Sequence, residues 1–323
     1  MLKAPGLRRI RNPSVFMRKG NMWLYGQGGT IMRLSTTVNF FIYEDDGSYN
    51  AYREDLRHYA ALGFRNLDAI FCSAANPSSP LRTDRWQDWA KAMRQEAEDL
   101  GITFVQAHMP YYNFCHPATG IIEDTEEIAR RSIVCAQILG AKWTVSHPAT
   151  DFAASMTETS RRKNVEYFSR HLEFAEKYGM GICIENMADF PGQGYKRSYC
   201  AQVEELCELV DTLGNKYSNV GVCWDFGHAN LVYGDQVPCL RYLSHRLKVT
   251  HVHDNRGEFD EHRPPYLGNV NWEAIMPTLK EIGYQGDFSF EVIRMGPHVP
   301  EYLRDSLWVH LRKVGEYLIS LAG

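Results

Sequence analysis

The sequence predicts a single α/β domain with the (β/α)8 architecture of a TIM barrel, preceded by an N-terminal extension. Short apolar segments typical of buried strands alternate with longer segments of helical periodicity, and eight such strands occur without an internal linker. Strands that are separated by helices lie parallel, and eight parallel strands close into a barrel. We therefore expect residues 1–32 to form the extension and residues 33–323 to form the catalytic barrel.

Each predicted strand is a short run of apolar and β-branched residues. The predicted strands are residues 33–41, 64–71, 103–108, 142–147, 181–185, 220–225, 248–253 and 287–292. The segments between them carry apolar residues three and four positions apart, and several end at a glycine before the next strand. The predicted helices are residues 52–62, 86–100, 125–139, 159–178, 202–213 and 272–282, with 305–321 closing the barrel. A doubly wound open sheet is the alternative, but no Gly-x-Gly-x-x-Gly turn follows the first strand.

Composition limits the classes of function. The apolar fraction of 44% is ordinary for a globular protein, and a net charge of −4 gives no general attraction to nucleic acid or anionic membranes. No apolar run approaches the ~20 residues of a membrane span. The eight cysteines include no Cys-x-x-Cys pair, so we expect buried reduced thiols. These features favour a cytoplasmic protein that binds neither nucleic acid nor membrane.

The first 31 residues contain six basic residues and no acidic one. The stretch lacks the apolar core of a secretory signal. This composition is compatible with a transit segment, with an arm over a neighbouring subunit, or with a stretch translated from a start codon upstream of Met32. A phosphate-binding role is the functional alternative.

Four predicted strands in the second half of the chain end at a carboxylate or an imidazole. These residues are Glu185, Asp225, His251 and Glu291. Groups at the C-terminal ends of parallel strands converge on one face of a barrel, where such enzymes place their chemistry. Burying charge there is costly unless the groups are paired or bind a cation. Three carboxylates and an imidazole suit one divalent metal ion, so the sequence predicts a metalloenzyme.

Five further residues are candidate ligands beside this set. They are His116, His147, His228, Asp260 and His262. The mixture of histidine with aspartate and glutamate favours zinc or manganese, with cobalt and magnesium as the other candidates. His116 and His147 each precede a proline, and such histidines also form ordinary loop hydrogen bonds, so a structural interpretation stays open.

Three residues are candidates for substrate binding. They are His108, Asn186 and Arg256. Arg256 follows strand seven and is suited to a substrate hydroxyl or phosphate, although a solvent-exposed arginine is the simpler interpretation. His253 alternates with His251 along strand seven, so we expect it to face the opposite side and pack there.

From residue 33 to the C-terminus the sequence resembles the xylose isomerase-like TIM barrel superfamily. This superfamily holds sugar and sugar-phosphate isomerases and epimerases together with endonuclease IV-type apurinic endonucleases. The resemblance is carried by Ile-Glu-Asn, Asp-Phe-Gly-His, His-Val-His-Asp-Asn, Asp-Glu-His and Phe-Glu-Val. The shared metal site that it implies comprises Glu185, Asp225, His251 and Glu291. It selects His251, three residues before an acid, over His253, and strand two offers Asp68 where many relatives have glutamate.

In the endonuclease branch a cluster of three zinc ions has additional ligands, and the five further candidates are similar to them. A multi-zinc phosphodiester hydrolase is therefore one alternative function. The overall acidity and the lack of evident basic DNA-gripping loops weigh against a repair nuclease. Relatives are often dimers or tetramers, which makes a homo-oligomer an expectation.

The resemblance favours a divalent-metal-dependent isomerase or epimerase that acts on a ketose or sugar phosphate through an enediolate. In this hypothesis Glu185 and Glu291 remove and return a proton on the two faces of the substrate, and the other two ligands hold the ion. A lyase or dehydratase would begin with the same proton abstraction. A non-catalytic, sugar-binding barrel is the remaining alternative.

Overall fold

The computed structural model describes residues 32–39, 52–75, 79–116, 122–152, 156–189, 197–292 and 299–323. Residues 32–323 form one compact unit. The predicted N-terminal extension, apart from Met32, lies outside the described residues, as do the last two residues predicted for the first strand.

Eight parallel strands form the barrel. They are β1 (Leu34–Asn39), β2 (Asn66–Ile70), β3 (Thr103–His108), β4 (Trp143–Ser146), β5 (Gly181–Glu185), β6 (Val220–Asp225), β7 (Leu247–His251) and β8 (Phe288–Phe290). Each strand pairs with its neighbour in sequence, and β8 pairs with β1. The ring closes just after β7, where the Val252 amide donates to the Ser289 carbonyl at 2.8 Å and the Val252 carbonyl accepts from the Glu291 amide at 3.0 Å. The predicted (β/α)8 fold is confirmed.

The helices follow the predicted pattern closely, with two additions. They are α1 (Tyr52–Ala61), α2 (Trp86–Asp99), α3 (Ile122–Leu139), α4 (Met156–Glu176), α5 (Val203–Gly214), α6 (Phe226–Asn230), α7 (Val237–Leu243), α8 (Trp272–Glu281) and α9 (Glu301–Leu321). The sequence did not predict α6 and α7, because helices of five and seven residues are too short to show a periodic apolar face. Among the helices described, none is both long enough and apolar enough to cross a bilayer.

Contacts with α9 show which strand residues point outward. A Cβ atom added to Gly315 of α9 would meet the side chains of Leu34 in β1 and Phe290 in β8. Side chains alternate between the two faces of a strand, so the neighbouring residues Ser289 and Glu291 point into the barrel.

A small apolar layer inside the barrel sets the height of the polar residues above it. This layer consists of Val145, Cys183, Cys223 and Val249, which pack together apart from the main core. Because side chains repeat their direction every two residues, the next inward positions of these strands lie one layer closer to the C-terminal mouth. Those positions hold His147, Glu185, Asp225 and His251. The strand register thus gathers an imidazole and carboxylate layer at the mouth.

Aromatic packing anchors the loop after β3 to α4. The ring of Phe114 stacks on Tyr167 with centroids 3.7 Å apart, and the hydroxyls of Tyr112 and Tyr167 are 2.8 Å apart. Tyr167 also stacks on His171, one turn later, with centroids 4.1 Å apart. His171 is buried: its Nδ1 donates to the Tyr167 carbonyl at 3.0 Å, and its Nε2 has no hydrogen-bond partner among the residues described.

His171 makes the folded state sensitive to acid. Burial lowers the pKa of His171 to about 4, against the opposing effects of its bond to Tyr167 and of Glu126. A histidine in the unfolded chain titrates near 6.5, so between about pH 6.5 and pH 4 only the unfolded state binds the extra proton. Stability is therefore complete above this window and falls by about 3 kcal/mol as the pH drops through it.

We expect His171→Phe, which keeps the aromatic stack, to reduce the slope of the free energy of unfolding against pH between 7 and 4.5 by the contribution of one histidine. Urea unfolding at several pH values measures this. The exposed His310→Gln variant is the matched control and should follow the wild-type curve. An unchanged slope in His171→Phe would show that another group titrates in this window.

Candidate metal centre

The structure brings the four residues of the predicted metal site together. Glu185, Asp225 and His251 are the last residues of β5, β6 and β7, and Glu291 follows β8 directly. All four are buried, and each offers a ligand atom within 4.8 Å of the others. The group therefore has the size of a single ion site.

A carboxylate below the group fixes the orientation of His251. The Nε2 atom of His251 lies 3.2 Å from Asp68 Oδ2, and the same oxygen accepts from Gln106 Nε2 at 2.8 Å. Because an ionised carboxylate only accepts, we assign the imidazole proton to Nε2. The Nδ1 atom then faces the two glutamates, 3.0 Å from Glu185 Oε1 and 3.3 Å from Glu291 Oε2, so either a second proton or a cation lies between them. A carboxylate that holds a histidine in this way is typical of metal sites.

Three other histidines are oriented by the backbone. His108, His228 and His262 each place Nδ1 2.7 to 3.0 Å from a main-chain carbonyl, which requires the proton on Nδ1. Their Nε2 atoms face carboxylate oxygens. The Nε2 atom of His108 lies 3.2 Å from Glu185. The Nε2 atoms of His228 and His262 lie 3.5 Å and 3.0 Å from Asp260, respectively. A lone pair that faces a carboxylate oxygen is stabilised only by a proton or a cation between them.

A second group lies beside the first. It comprises His228, His253, Asp260 and His262, whose ligand atoms also lie within 4.8 Å of one another. His253 Nε2 is 3.7 Å from Asp260 Oδ1 and 3.0 Å from Asp225 Oδ1. Asp225 thus lies between the two groups.

The prediction that His253 packs on the opposite side from His251 is wrong. Residues two apart in a strand point to the same face, and Val252 continues the pairing beyond β7 by a parallel bridge to Phe290. Gly227 provides the space, because a Cβ atom there would overlap the His253 imidazole. The His-x-His spacing was the signal that should have identified this residue.

Several buried polar atoms in the two groups, and one in the neighbouring His147, have no hydrogen-bond partner in the described part of the chain. They are Asp225 Oδ2, Asp260 Oδ1, His147 Nδ1 and both ring nitrogens of His253. Each buried, unpaired polar group costs about 1–3 kcal/mol. The close Asp225–His253 approach also lacks hydrogen-bond geometry. Nitrogen and oxygen atoms that converge without hydrogen bonding to one another fit a bound divalent cation.

The two glutamates of the first group differ in proton affinity. Burial raises the pKa of Glu185, but the positive charge of a protonated His251 outweighs it and holds this pKa well below its usual range. For Glu291, burial outweighs the effects of His251 and His262, so its pKa is raised. The group therefore combines a strongly ionised carboxylate with one that binds a proton more readily.

His147 lies at the mouth of the barrel. Its Nε2 is 3.2 Å from Glu185 Oε2, and burial lowers its pKa to about 3, so the ring is neutral near pH 7. The exposed Tyr111 ring meets the imidazole edge-on with centroids 4.9 Å apart. This pair gives one wall of the mouth a polar nitrogen beside an aromatic face.

The structure does not bring His116 into either group. Its Nε2 lies 3.3 Å from Asp151 Oδ1 and accepts from the Phe152 amide at 3.2 Å, and half of its side chain, 51%, is exposed. Within the described residues, no ion pair or ring contact joins it to the first or second group. The loop interpretation of this histidine therefore fits the structure better than the ligand interpretation.

The two other predicted substrate contacts have different surroundings. The amide of Asn186 is buried and makes two bonds to the backbone of Asp225, donating at 2.9 Å and accepting at 2.7 Å. It holds the ends of β5 and β6 together, so we assign it to positioning Asp225 rather than to substrate. Arg256 is exposed in the loop after β7, and its guanidinium has no ion-pair partner among the described residues.

The fold and these groups define a TIM barrel with a candidate cation site at the C-terminal ends of its strands. Over residues 56–313 the chain matches the model of the family described as xylose isomerase-like TIM barrel. The chain belongs to this family, which confirms the resemblance seen in its motifs.

Curated relatives match part of the chain. An uncharacterized protein of Methanocaldococcus jannaschii is 32% identical over 198 residues, which cover 59% of this chain and 65% of that protein. The inosose isomerase of Bacillus subtilis is 26% identical over 174 residues, covering 51% of this chain and 57% of that enzyme. The chain thus spans less than two thirds of the length of these relatives.

Solved structures match nearly the whole barrel. A D-tagatose 3-epimerase-like protein has a TM-score of 0.68 at 22% identity, and the match covers 90% of this chain and 98% of that protein. D-psicose 3-epimerase, crystallised in the presence of D-fructose, has a TM-score of 0.69 at 16% identity. The match covers 90% of this chain and 100% of that enzyme. At these identities the comparison shows a shared fold.

Proposed function

We propose that this protein is a divalent-metal-dependent isomerase or epimerase acting on a ketose or ketose phosphate. The observation that carries the proposal is the pair of glutamates on either side of one imidazole. Glu185 from β5 and Glu291 after β8 both lie within 3.3 Å of His251 Nδ1. The strands β6 and β7 separate these glutamates along the barrel, so the two carboxylates flank the ion site.

The residues that would hold the ion are Glu185, Asp225, His251 and Glu291. Their carboxylate and imidazole donors suit zinc or manganese, with cobalt and magnesium as alternatives. A bound divalent cation would supply positive charge that stabilises the negative charge developing on neighbouring substrate oxygens.

The chain's own residues would move the proton. One glutamate removes the proton from the carbon between hydroxyl and carbonyl, and the electron pair of that C–H bond forms the enediolate. Return of a proton by the second glutamate to the opposite face gives the epimer, and return to the neighbouring carbon gives the isomer. Neither outcome changes the overall oxidation state. His108 and His147, both 3.2 Å from Glu185 Oε2, are placed to orient substrate hydroxyls.

The similarities support this class of reaction. The inosose isomerases and the ketose 3-epimerases among the similar proteins act on polyhydroxy ketones, to judge from their names. We further propose a small-molecule substrate and a cytoplasmic location. A homo-oligomeric state remains a prediction from the resemblance.

A multi-metal hydrolase is the second candidate, because the second group of ligands lies next to Asp225. A hydrolase of this kind uses its ions to make hydroxide and to clamp a phosphodiester. The absence of a general basic character in the chain, with its net charge of −4, disfavours a nucleic acid substrate.

A deuterium-exchange screen tests the proposed function. The metal-loaded protein is incubated in D2O with ketohexoses, ketopentoses, their phosphates and inososes, and proton NMR follows each C–H next to the carbonyl. We expect deuterium incorporation with formation of an isomer or epimer in at least one substrate class. Hydrolysis of a phosphodiester probe without exchange in any ketose would favour the hydrolase.

Arg256 offers a test of whether the substrate is phosphorylated. We expect Arg256→Met to raise KM for a ketose phosphate by roughly tenfold or more, because a charged hydrogen bond to phosphate contributes about 1.5–3 kcal/mol. KM for the unphosphorylated ketose should stay within about twofold. Steady-state kinetics with both substrates measure the two effects, and equal effects on both would remove Arg256 from a phosphate-binding role.

A further inference from the structure

We infer that the N-terminal end of the barrel holds a binding site for a small organic phosphate. This end of the strands lies opposite the candidate metal centre. The inference rests on a cavity, on the side chains that are directed into it and on their charge. It does not depend on the substrate or on the reaction proposed above.

The cavity at this end has a volume of about 670 Å³. Its wall is formed by the first residues of several strands and by the turn that precedes β8. They include Thr103 and Phe104 of β3, Trp143 of β4, Lys248 of β7, and Tyr284 and Asp287 of the turn. Small-molecule sites usually have volumes of about 300–1,000 Å³. The space is therefore suited to a phosphate ester and exceeds what inorganic phosphate needs.

A β-bulge directs Lys248 toward the cavity. The register between β6 and β7 shifts just before Cys223, which leaves Lys248 as the extra residue of β7. Gly221 lies two positions before Cys223, a member of the apolar layer inside the barrel, so a side chain at Gly221 would also point inward. A Cβ atom there would overlap the Lys248 side chain. The stem of Lys248 therefore crosses the inner face of β6 at the bottom of the barrel.

Trp143 lies between the cavity and the apolar layer inside the barrel. A Cβ atom at Gly181 would overlap the indole ring of Trp143, and this ring packs against the apolar layer. The carboxylates and imidazoles of the metal centre lie on the other side of that layer. A ligand in the cavity is therefore held apart from the proposed catalytic groups, and the half-buried indole gives it an apolar surface.

The wall of the cavity carries an excess of positive charge. The only carboxylate among its described residues, Asp287, accepts from Arg33 Nε at 2.7 Å and from Arg33 Nη2 at 2.9 Å. Lys142 and Lys248 also line the wall, and neither forms an ion pair within the described part of the chain. Lys248 Nζ donates to the His245 carbonyl at 2.8 Å, which uses one of its three N–H groups. Two ammonium groups thus remain for an anion, in a chain whose net charge is −4.

The charge and the aromatic surface indicate the class of ligand. A phosphate monoester carries about two negative charges near pH 7 and three acceptor oxygens, which match two lysine ammonium groups. Lysine is a common point-charge ligand for phosphate. A monocarboxylate would leave one of the two lysines uncompensated. The organic part of the ester would lie against the indole of Trp143.

Calorimetric titration of the metal-loaded and metal-stripped protein with phenyl phosphate tests the inference. This probe joins a phosphate to an apolar ring and has no ketose group. We expect binding with the same Kd in both forms of the protein. Lys142→Met and Lys248→Met should each raise Kd by about tenfold or more, because each removes a charged hydrogen bond. Lys91→Met, at an exposed position of α2 outside the cavity, is the matched control and should bind like the wild type.

Thermal unfolding provides a second readout, since a ligand that binds only the folded chain raises the melting temperature. Phenyl phosphate should raise the melting temperature of the wild type more than that of either lysine variant. Binding that survives both lysine changes, or that is lost on removing the metal, would place the probe elsewhere and overturn the inference. No binding and no rise in melting temperature in the wild type would overturn it too. If Lys248→Met does not fold, Lys142→Met decides, because Lys142 is exposed.

Discussion

Glu185→Gln is expected to lower kcat for ketose interconversion by about 1000-fold, within the range that positioned general bases contribute. Glutamine keeps the size of the side chain and one carbonyl oxygen but cannot take up a proton at neutral pH. Glu291→Gln should cause a loss of similar size, because the proposed reaction needs one group to remove the proton and another to return it. Rates of deuterium incorporation measured by NMR report the proton transfer itself.

A matched control separates this effect from a general change in charge. Glu258 is an exposed glutamate in the loop after β7, and Glu258→Gln should retain wild-type exchange. Because Glu185 is also a proposed ligand, each variant is assayed at saturating metal with its metal content determined. Full exchange in metal-loaded Glu185→Gln would exclude it as the base.

Asp68→Asn is expected to weaken the affinity of the first site for its ion by about 10- to 100-fold, the usual effect of removing a carboxylate that orients a ligating histidine. Asp68 is fully buried and accepts from His251 Nε2 at 3.2 Å. An asparagine amide can present an N–H to that nitrogen, which would shift the imidazole proton to Nδ1 and block the ligand lone pair. Competition with a chromophoric chelator measures the affinity.

The control for this change is Asp287→Asn. Asp287 is paired with Arg33 at the opposite end of the barrel, at 2.7 Å, so its loss should leave metal affinity unchanged. Metal binding by Asp68→Asn with wild-type affinity would mean that His251 is oriented by other contacts.

The sequence was sufficient to predict the barrel and the layer of polar groups at its mouth. Glu185, Asp225 and His251 each end a predicted strand, and the helical periodicity between the strands required them to be parallel, so these side chains were expected at one end of the barrel. Strong local patterns of this kind persist in the fold because burial of the apolar face enforces them.

Contacts between distant strands were harder to predict. Asp68 on β2 reaches His251 on β7 across the barrel interior, and no pattern within either strand indicates that pairing. The sequence did show an acid within an apolar strand, and buried carboxylates need partners. His253 was misplaced by an error of parity rather than by a lack of signal.

The directions of side chains in loops were the other feature that the sequence could not predict. His116 and His147 both precede proline, yet only His147 faces the carboxylates, because it directly follows β4 while His116 lies eight residues beyond β3. A residue at a strand end has its direction set by the sheet, whereas a residue further into a loop takes its direction from local contacts. For His116 these include Asp151 and Phe152.

The central claim is that the ion held by Glu185, Asp225, His251 and Glu291 is required for proton transfer on a ketose. The most direct test compares deuterium incorporation by metal-stripped and metal-restored protein on one responsive substrate. The account predicts no exchange in the stripped protein and full recovery on adding zinc or manganese. Equal exchange with and without metal, or no exchange by restored protein across the ketose panel, would contradict it.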